Sequence, residues 1–374
     1  MARYNDQPSH PIKQVLFFLM IGALVAGGYY RQNNLKREAE AERKRLYVER
    51  LEIMGTYAEV RFWEEDKTKS EDAAKVVWQE FNEVNRVFNN YVSDSELTKL
   101  NNSAFEKPFA CSSMMWELLM HAKDAYSYTD GVFDITAGPI IKTWDFYGMK
   151  RKTLPTPDEL EKAQEKVGFD KLLLDESNKT VQFKVEGMYL DFGGIAKGYA
   201  LDKALIRVHE LGLKKGVLDL GGNMLFLEVV PTGRSFYKPS IQDPRSNWSD
   251  IKTIGYVPLK GMSIASSGNY NRYMEIDGNF YSHIINPKTA MPVQNSLQST
   301  VVHESAMIAD ILSTASFILG VDKFLDWRKE FGDVHILLIQ QDVNGEIQVY
   351  KKPKLENLFH QIKPVEKWDT NGKK

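Results

Sequence analysis

Residues 15–30, VLFFLMIGALVAGGYY, form an uncharged and mostly apolar run, followed by the almost wholly polar RQNNLKREAEAERKRLYVER of residues 31–50. This junction limits the fold more than any other feature. The polar stretch offers no matching apolar face, so the run stands outside any core built downstream. It is short for a transmembrane span of ~17–25 residues. It does suit a secretory h-region, with Arg3 and Lys13 ahead of it and small residues in ALVAGG for cleavage. The pattern predicts a signal peptide or membrane anchor over 1–30 and a charged linker or stalk over 31–50, with export across a membrane. Cleavage and retention both stand, the spacer favouring retention. Lys and Arg on both sides leave the positive-inside rule uninformative. The single cysteine is Cys111, so no lipoprotein anchor follows the run.

The 374 residues are 43% hydrophobic and 26% charged, near the globular average, which excludes a disordered, collagenous or multi-span membrane chain. With 48 Lys+Arg against 50 Asp+Glu there is no broad basic field, which argues against a sequence-independent grip on nucleic acid. One cysteine rules out an intramolecular disulfide framework and a Cys-rich zinc site. From about residue 47 strand and helix signals mix. LYVERLEIMGTYAEVRFW predicts two strands around Gly55. Helices are predicted over 71–91, 113–128, 155–167 (Thr156 as N-cap), 196–212 and 306–319. Hairpins are predicted over 171–185, around Asp277-Gly278 and around Asn344-Gly345, with strands at 216–220 and 262–265. Without repeats or a Pro/Gly-rich linker, the expectation is one α+β domain over 51–365 and a tail over 366–374.

Four stretches carry chemistry. In YLDFGGIAKGYALDKAL (189–205) a strand ends at Asp191 and a helix begins near Ala196, with Lys197 in its first turn. Gly193 and Gly194 allow close approach of a ligand, and a helix N-terminus favours phosphate. A plain glycine turn fits equally well, and the spacing matches neither the P-loop nor GxGxxG. In SIASSGNYNRYMEIDGNFYSHIINPKTAMPV (263–293), His283 follows Ser266 and Ser267 and stands before Pro287 and Pro292. It is placed to accept a proton from a hydroxyl, or simply to brace its loop. In AMIADILSTASFILG (306–320), Asp310 and Thr314 share one face of a mostly apolar helix. Such oxygen ligands suit Mg²⁺. The competing arrangement has Thr314 bonded back to the Asp310 carbonyl and Asp310 paired with a lysine. In DGVFDITAGPIIKTWDF (130–146), aromatic and polar residues alternate, more as an ordinary strand and turn than as the wall of a flat-ring pocket.

In series, Met54-Gly55-Thr56, NNYVSDSELTKLN, DGVFDITAGPIIKTWDF, DFGGIAKGYALD, LDLGGN, IASSGNYNRY, YSHIINPKT and ADILSTA resemble the ApbE family of FAD:protein FMN transferases, over roughly residues 52–350. The resemblance implies a single large domain of the ApbE or T-fold-like type. It implies an exported or inner-membrane protein acting on the periplasmic side. Such an enzyme binds FAD and Mg²⁺ and joins FMN by a phosphoester bond to a Thr or Ser of an acceptor flavoprotein, releasing AMP. The acceptor would carry a D-x-[ST]-G-A-[ST] segment and belong to a membrane electron-transfer complex or an exported reductase. Carried over by position, Asp310, Thr314 and the main-chain carbonyl of Gly194 would hold the metal. Met54, Tyr91, Phe133, Asp134, Asp191, Lys197 and Ile285 would surround the FAD. His283 would act as base, with Lys197 adding positive charge at the phosphates. Ser266, Asn269, Asn286 and Ala290 depart from the usual Thr, Asp, Asp and Gly of the family pattern. An FAD pyrophosphatase releasing FMN and AMP, and a non-catalytic exported FAD-binding protein, are the alternatives.

Overall fold

The computed structural model describes residues 11–246, 250–269, 273–320, 334–341, 344, 347–351 and 360–361. The two strand signals around Gly55 form a hairpin of β1 (Leu46–Ile53) and β2 (Thr56–Trp63). Met54 and Gly55 turn it at φ 53° and 70°, the doubly positive geometry that suits the twist of a tight hairpin. The sheet thus begins at Leu46, inside the stretch expected to be stalk. β3 (Gly216–Leu220), β4 (Asn223–Phe226), β5 (Ser263–Gly268), β6 (Ser296–His303), β7 (His335–Gln341) and β8 (Ile347–Lys351) continue it. The eight strands lie side by side in chain order, every neighbouring pair antiparallel.

Alternation along these strands feeds hydrophobic clusters on both faces. Val60, Phe62 and Leu218 join the larger core, whereas Trp63, Val217, Ile254 and Ile339 pack with Tyr237 in another. The larger core includes Phe81 and Val84 of helix α1 (Lys67–Phe88) and Tyr199 and Leu201 of helix α2 (Ala196–Glu210). Helix α3 (Ala306–Leu319) packs on α2 and across β5 and β6. Shorter helices span Glu96–Ser103, Ser113–Tyr128, Gly138–Thr143 and Pro157–Gln164. Thr156 and Glu159 form a reciprocal capping box on the last of these, with Pro157 in its first turn.

Two expectations are corrected. No strand forms over residues 130–146; 135–143 are helical and the flanks are turns. Asp134 caps a 3-10 turn over Ile135–Ala137 and Pro139 enters the first turn of the next helix, a position where its missing N–H costs nothing. Residues 188–192 join no strand either; Leu190 N–H bonds the Asn101 side chain (2.7 Å) and Asp191 N–H the Ile135 carbonyl (2.8 Å). Residues 31–44 are helical and mostly exposed. They belong to a helix over Pro11–Lys44 whose Glu42 is buried, paired with Lys215 at 2.6 Å and accepting the Thr232 N–H. Burial works against ionisation of Glu42, but its bonds from Lys215 and Thr232 outweigh that and hold the carboxyl below its ordinary range. Among the described residues no helix is long and apolar enough to cross a membrane. The expected tail over 366–374 lies outside the described residues.

Candidate active site

A cavity of about 440 Å³ opens where the β1–β2 turn, the β3–β4 turn, the first turn of α2 and one side of α3 meet. Met54, Tyr91, Phe133, Asp134, Asp191, Gly194, Lys197, His283, Ile285, Asp310 and Thr314 all line it. Residues from six separate stretches of sequence therefore converge on one space.

Gly194 is the hinge of this convergence. A Cβ on it would lie 2.9 Å from the Phe133 ring and 3.3 Å from Thr314 Oγ1. Only glycine lets the aromatic wall and the α3 hydroxyl come so close to the backbone. The following turn begins α2, whose N-cap residue, Ile195, has no capping side chain. Gly194, Ala196 and Lys197 line the cavity there, so the positive end of the helix dipole meets whatever fills it.

Asp310 is 3% exposed, and a carboxylate so buried must be partnered. Its Oδ2 accepts the Gly198 N–H at 3.0 Å, and Lys197 Nζ stands 3.5 Å from its Oδ1. The lysine pairing weighed from sequence is present, but the back-bond is not Thr314's. Ser313 Oγ donates to the Asp310 carbonyl at 2.9 Å, while Thr314 Oγ1 meets Ser267 Oγ at 3.3 Å. A seam of hydroxyls continues beneath: Ser267 to Ser313 (2.8 Å), Ser299 to Ser316 (2.6 Å) and Ser266 to Thr300 (2.8 Å). Asp202 on α2 then fixes the start of α3, accepting from Ser305 Oγ (2.6 Å), Ala306 N–H (2.7 Å) and Met307 N–H (3.1 Å).

Across the cavity, Asp191 accepts Gly193 N–H (2.7 Å), Asn90 Nδ2 (3.1 Å) and the Tyr147 hydroxyl (2.5 Å). Burial, and then the Asp191 charge, drive the Tyr147 phenol far above its ordinary pKa, so it remains a donor. Tyr91 packs edge-on against Tyr147. Burial likewise raises Asp134 above the ordinary carboxylate range, against hydrogen bonds from the Thr136 hydroxyl and N–H. His283 follows the hairpin of Tyr273–Ile276 and Asn279–Ser282, which turns at Asp277 and Gly278 as expected. Ala290 holds a left-handed φ of 56° in the next loop, where a Cβ is strained, and its carbonyl accepts Trp144 Nε1 at 2.9 Å.

Among the described residues no group of three or more His, Cys, Asp or Glu is arranged to hold a metal ion. The oxygen groups beside Lys197 include the Asp310 carboxylate, the Thr314 hydroxyl and the Gly194 backbone. Asn90 and Tyr147 were missed from sequence. Tyr147 ends an aromatic run beginning at Trp144, but nothing local shows that it meets an aspartate 44 positions away.

An antiparallel sheet covered by helices, with a glycine-lined and oxygen-rich cavity at its turns, defines a mixed α/β protein built around one large ligand site. The model of the ApbE family matches residues 54–338. The FAD:protein FMN transferase of Haemophilus influenzae is 31% identical over 303 residues, covering 78% of this chain and 86% of that one. Its counterpart from Treponema pallidum is 30% identical over 314 residues, covering 80% and 86%. The solved ApbE protein of Thermotoga maritima superposes with a TM-score of 0.75 at 26% identity, over 84% of this chain and 99% of that one. The Vibrio cholerae flavin transferase ApbE gives 0.73 at 24% identity, over 84% and 99%, a likeness of fold. The chain belongs to the ApbE family.

Proposed function

We propose that this protein is a Mg²⁺-dependent FAD:protein FMN transferase, which moves FMN from FAD onto a Thr or Ser hydroxyl of an acceptor flavoprotein. The observation that carries the reading is the meeting of His283, Lys197, Gly194, Asp310 and Thr314 on one cavity. FAD would lie among Met54, Tyr91, Phe133, Asp134, Asp191 and Ile285. Asp310, Thr314 and the Gly194 carbonyl suit a hard cation that takes few protein oxygens and completes its shell with water and phosphate. When bound, Mg²⁺ supplies neutralising charge at the pyrophosphate.

The chain's own groups do the rest. His283 takes the proton of the acceptor hydroxyl. The freed oxygen bonds to the phosphorus on the FMN side, and the phosphoanhydride P–O bond breaks with its electron pair leaving on AMP. Lys197 adds positive charge close to Asp310 and at the head of α2, where the leaving phosphate gathers charge. The apolar run at 15–30 supports a protein exported to, or held at, the periplasmic side of the inner membrane.

The test is mass spectrometry of an acceptor bearing a D-x-[ST]-G-A-[ST] segment after incubation with the protein, FAD and Mg²⁺. The expected result is the added FMN mass with equimolar AMP, abolished by His283→Ala and by Asp310→Ala. Free FMN and AMP with an unmodified acceptor would establish a pyrophosphatase instead, and FAD binding without AMP a carrier.

A further inference from the structure

A second cavity, of about 370 Å³, adjoins the first, and Ile318 lines both. Between them stands the short hairpin of Ile285–Asn286 and Met291–Pro292. Ile285 lines the first cavity and Asn286 the second. This partition is held firmly. Trp144 Nε1 bonds the Ala290 carbonyl (2.9 Å), Gln164 Nε2 the Lys288 carbonyl (2.7 Å), and Lys288 Nζ pairs with Asp130 (2.9 Å).

The two cavities differ in chemistry. The first holds Asp191, Lys197, His283 and Asp310, whereas no Asp, Glu, Lys, Arg or His is among the described residues lining the second. The polar groups of those described residues are neutral amides and hydroxyls, among them Asn286, Thr289, Gln294, Asn295 and Ser296. Such groups pair with peptide N–H and C=O and give an anion no counter-charge. With FAD in the first cavity, the second reactant needs its own approach to His283, two residues before the partition.

We infer that the second cavity is the docking cleft for the acceptor protein, taking an extended, uncharged polypeptide segment next to the hydroxyl that receives FMN. This inference rests on the transferase reading and adds where its protein substrate binds.

Gln294 and Asn295 are exposed side chains of the cleft, so charged replacements there spare the core. Gln294→Glu and Asn295→Asp are to be assayed with a synthetic peptide carrying a D-x-[ST]-G-A-[ST] segment, alongside FAD titration by flavin fluorescence and thermal melting. The expected result is a peptide KM raised ~10-fold or more, with FAD affinity within ~2-fold of the parent protein and an unchanged Tm. A peptide KM unchanged in both variants overturns the cleft while leaving the transferase intact. Parallel loss of FAD affinity also overturns it, since the cleft would then belong to the flavin site. A parent protein that binds FAD but never modifies the peptide overturns the transferase reading and the cleft together.

Discussion

Gly198 lies in the first turn of α2, where that helix crosses the start of α3. A Cβ at this position would sit 2.3 Å from the Ala306 carbonyl oxygen and 2.6 Å from Met307 Cα, where ordinary contact begins at 3.4 Å. The obstacles are backbone atoms, so no side chain can swing away, and Gly198→Ala must part the helices by about 1 Å. Overpacking of this kind costs about 1–3 kcal/mol. Alanine's better helix propensity returns ~0.5–1 kcal/mol, so the net expectation is a Tm lower by a few degrees, on the order of 5 °C at most. The larger effect falls on the site. Lys197 stands on one helix, 3.5 Å from Asp310 on the other, and the Gly198 N–H itself bonds Asp310. A displacement near 1 Å at a reacting centre costs on the order of 100-fold in rate. FMN transfer to a saturating acceptor, followed by protein-bound flavin fluorescence, is therefore expected to fall ~30–100-fold in a protein that stays folded. A variant with Tm and transfer rate equal to the parent's would refute the claim that this contact sets the geometry of the site.

Asp219 on β3 stands opposite Glu59 on β2, and burial raises its carboxyl to about 6. A pKa raised on folding favours the fold below the unfolded value of ~3.9, and that advantage is lost as pH rises through about 6. Asp219→Asn, whose Oδ1 can still accept the Gly222 N–H, is expected to gain on the order of 1–3 kcal/mol over the parent at pH 7.5 and little at pH 4. Urea titrations at both pH values check this, and a difference that does not vary with pH speaks against it. Tyr147→Phe removes one of three donors to Asp191, a charge-assisted bond worth ~1.5 kcal/mol or somewhat more. FAD affinity measured by fluorescence is expected to weaken ~10-fold, and an unchanged Kd would remove Asp191 from the flavin contacts.

Local signals carried far. Helices over 113–128 and 306–319 begin where their apolar periodicity begins, because Ser112 and Ser305 cap their N-termini from the adjoining position. Periodicity failed over 130–146, where alternating aromatic and polar residues imitate a strand. There the decision rests with Asp134 bonding the Thr136 N–H and with Pro139, not with the alternation. The candidate catalytic, flavin and metal residues all line one cavity, but the partners that hold them do not announce themselves. Asn90 meets Asp191 across 101 positions, and Lys215 meets Glu42 across 173. Such pairs exist only once the chain has closed, and no spacing rule encodes them.

The seam of hydroxyls under α3 has a mechanical consequence. Methyl-on-methyl contact between a helix and a sheet is tolerant of sliding, since dispersion changes little over a few tenths of an ångström. Hydrogen bonds between short side chains are not tolerant, because they fade steeply with distance and angle. Ser267 with Ser313 and Ser299 with Ser316 therefore index α3 on β5 and β6 like teeth on a rack. Replacing both members of a pair with alanine would cost little stability, yet it would free the helix to creep along its axis. The teeth fix where Asp310 and Thr314 come to rest.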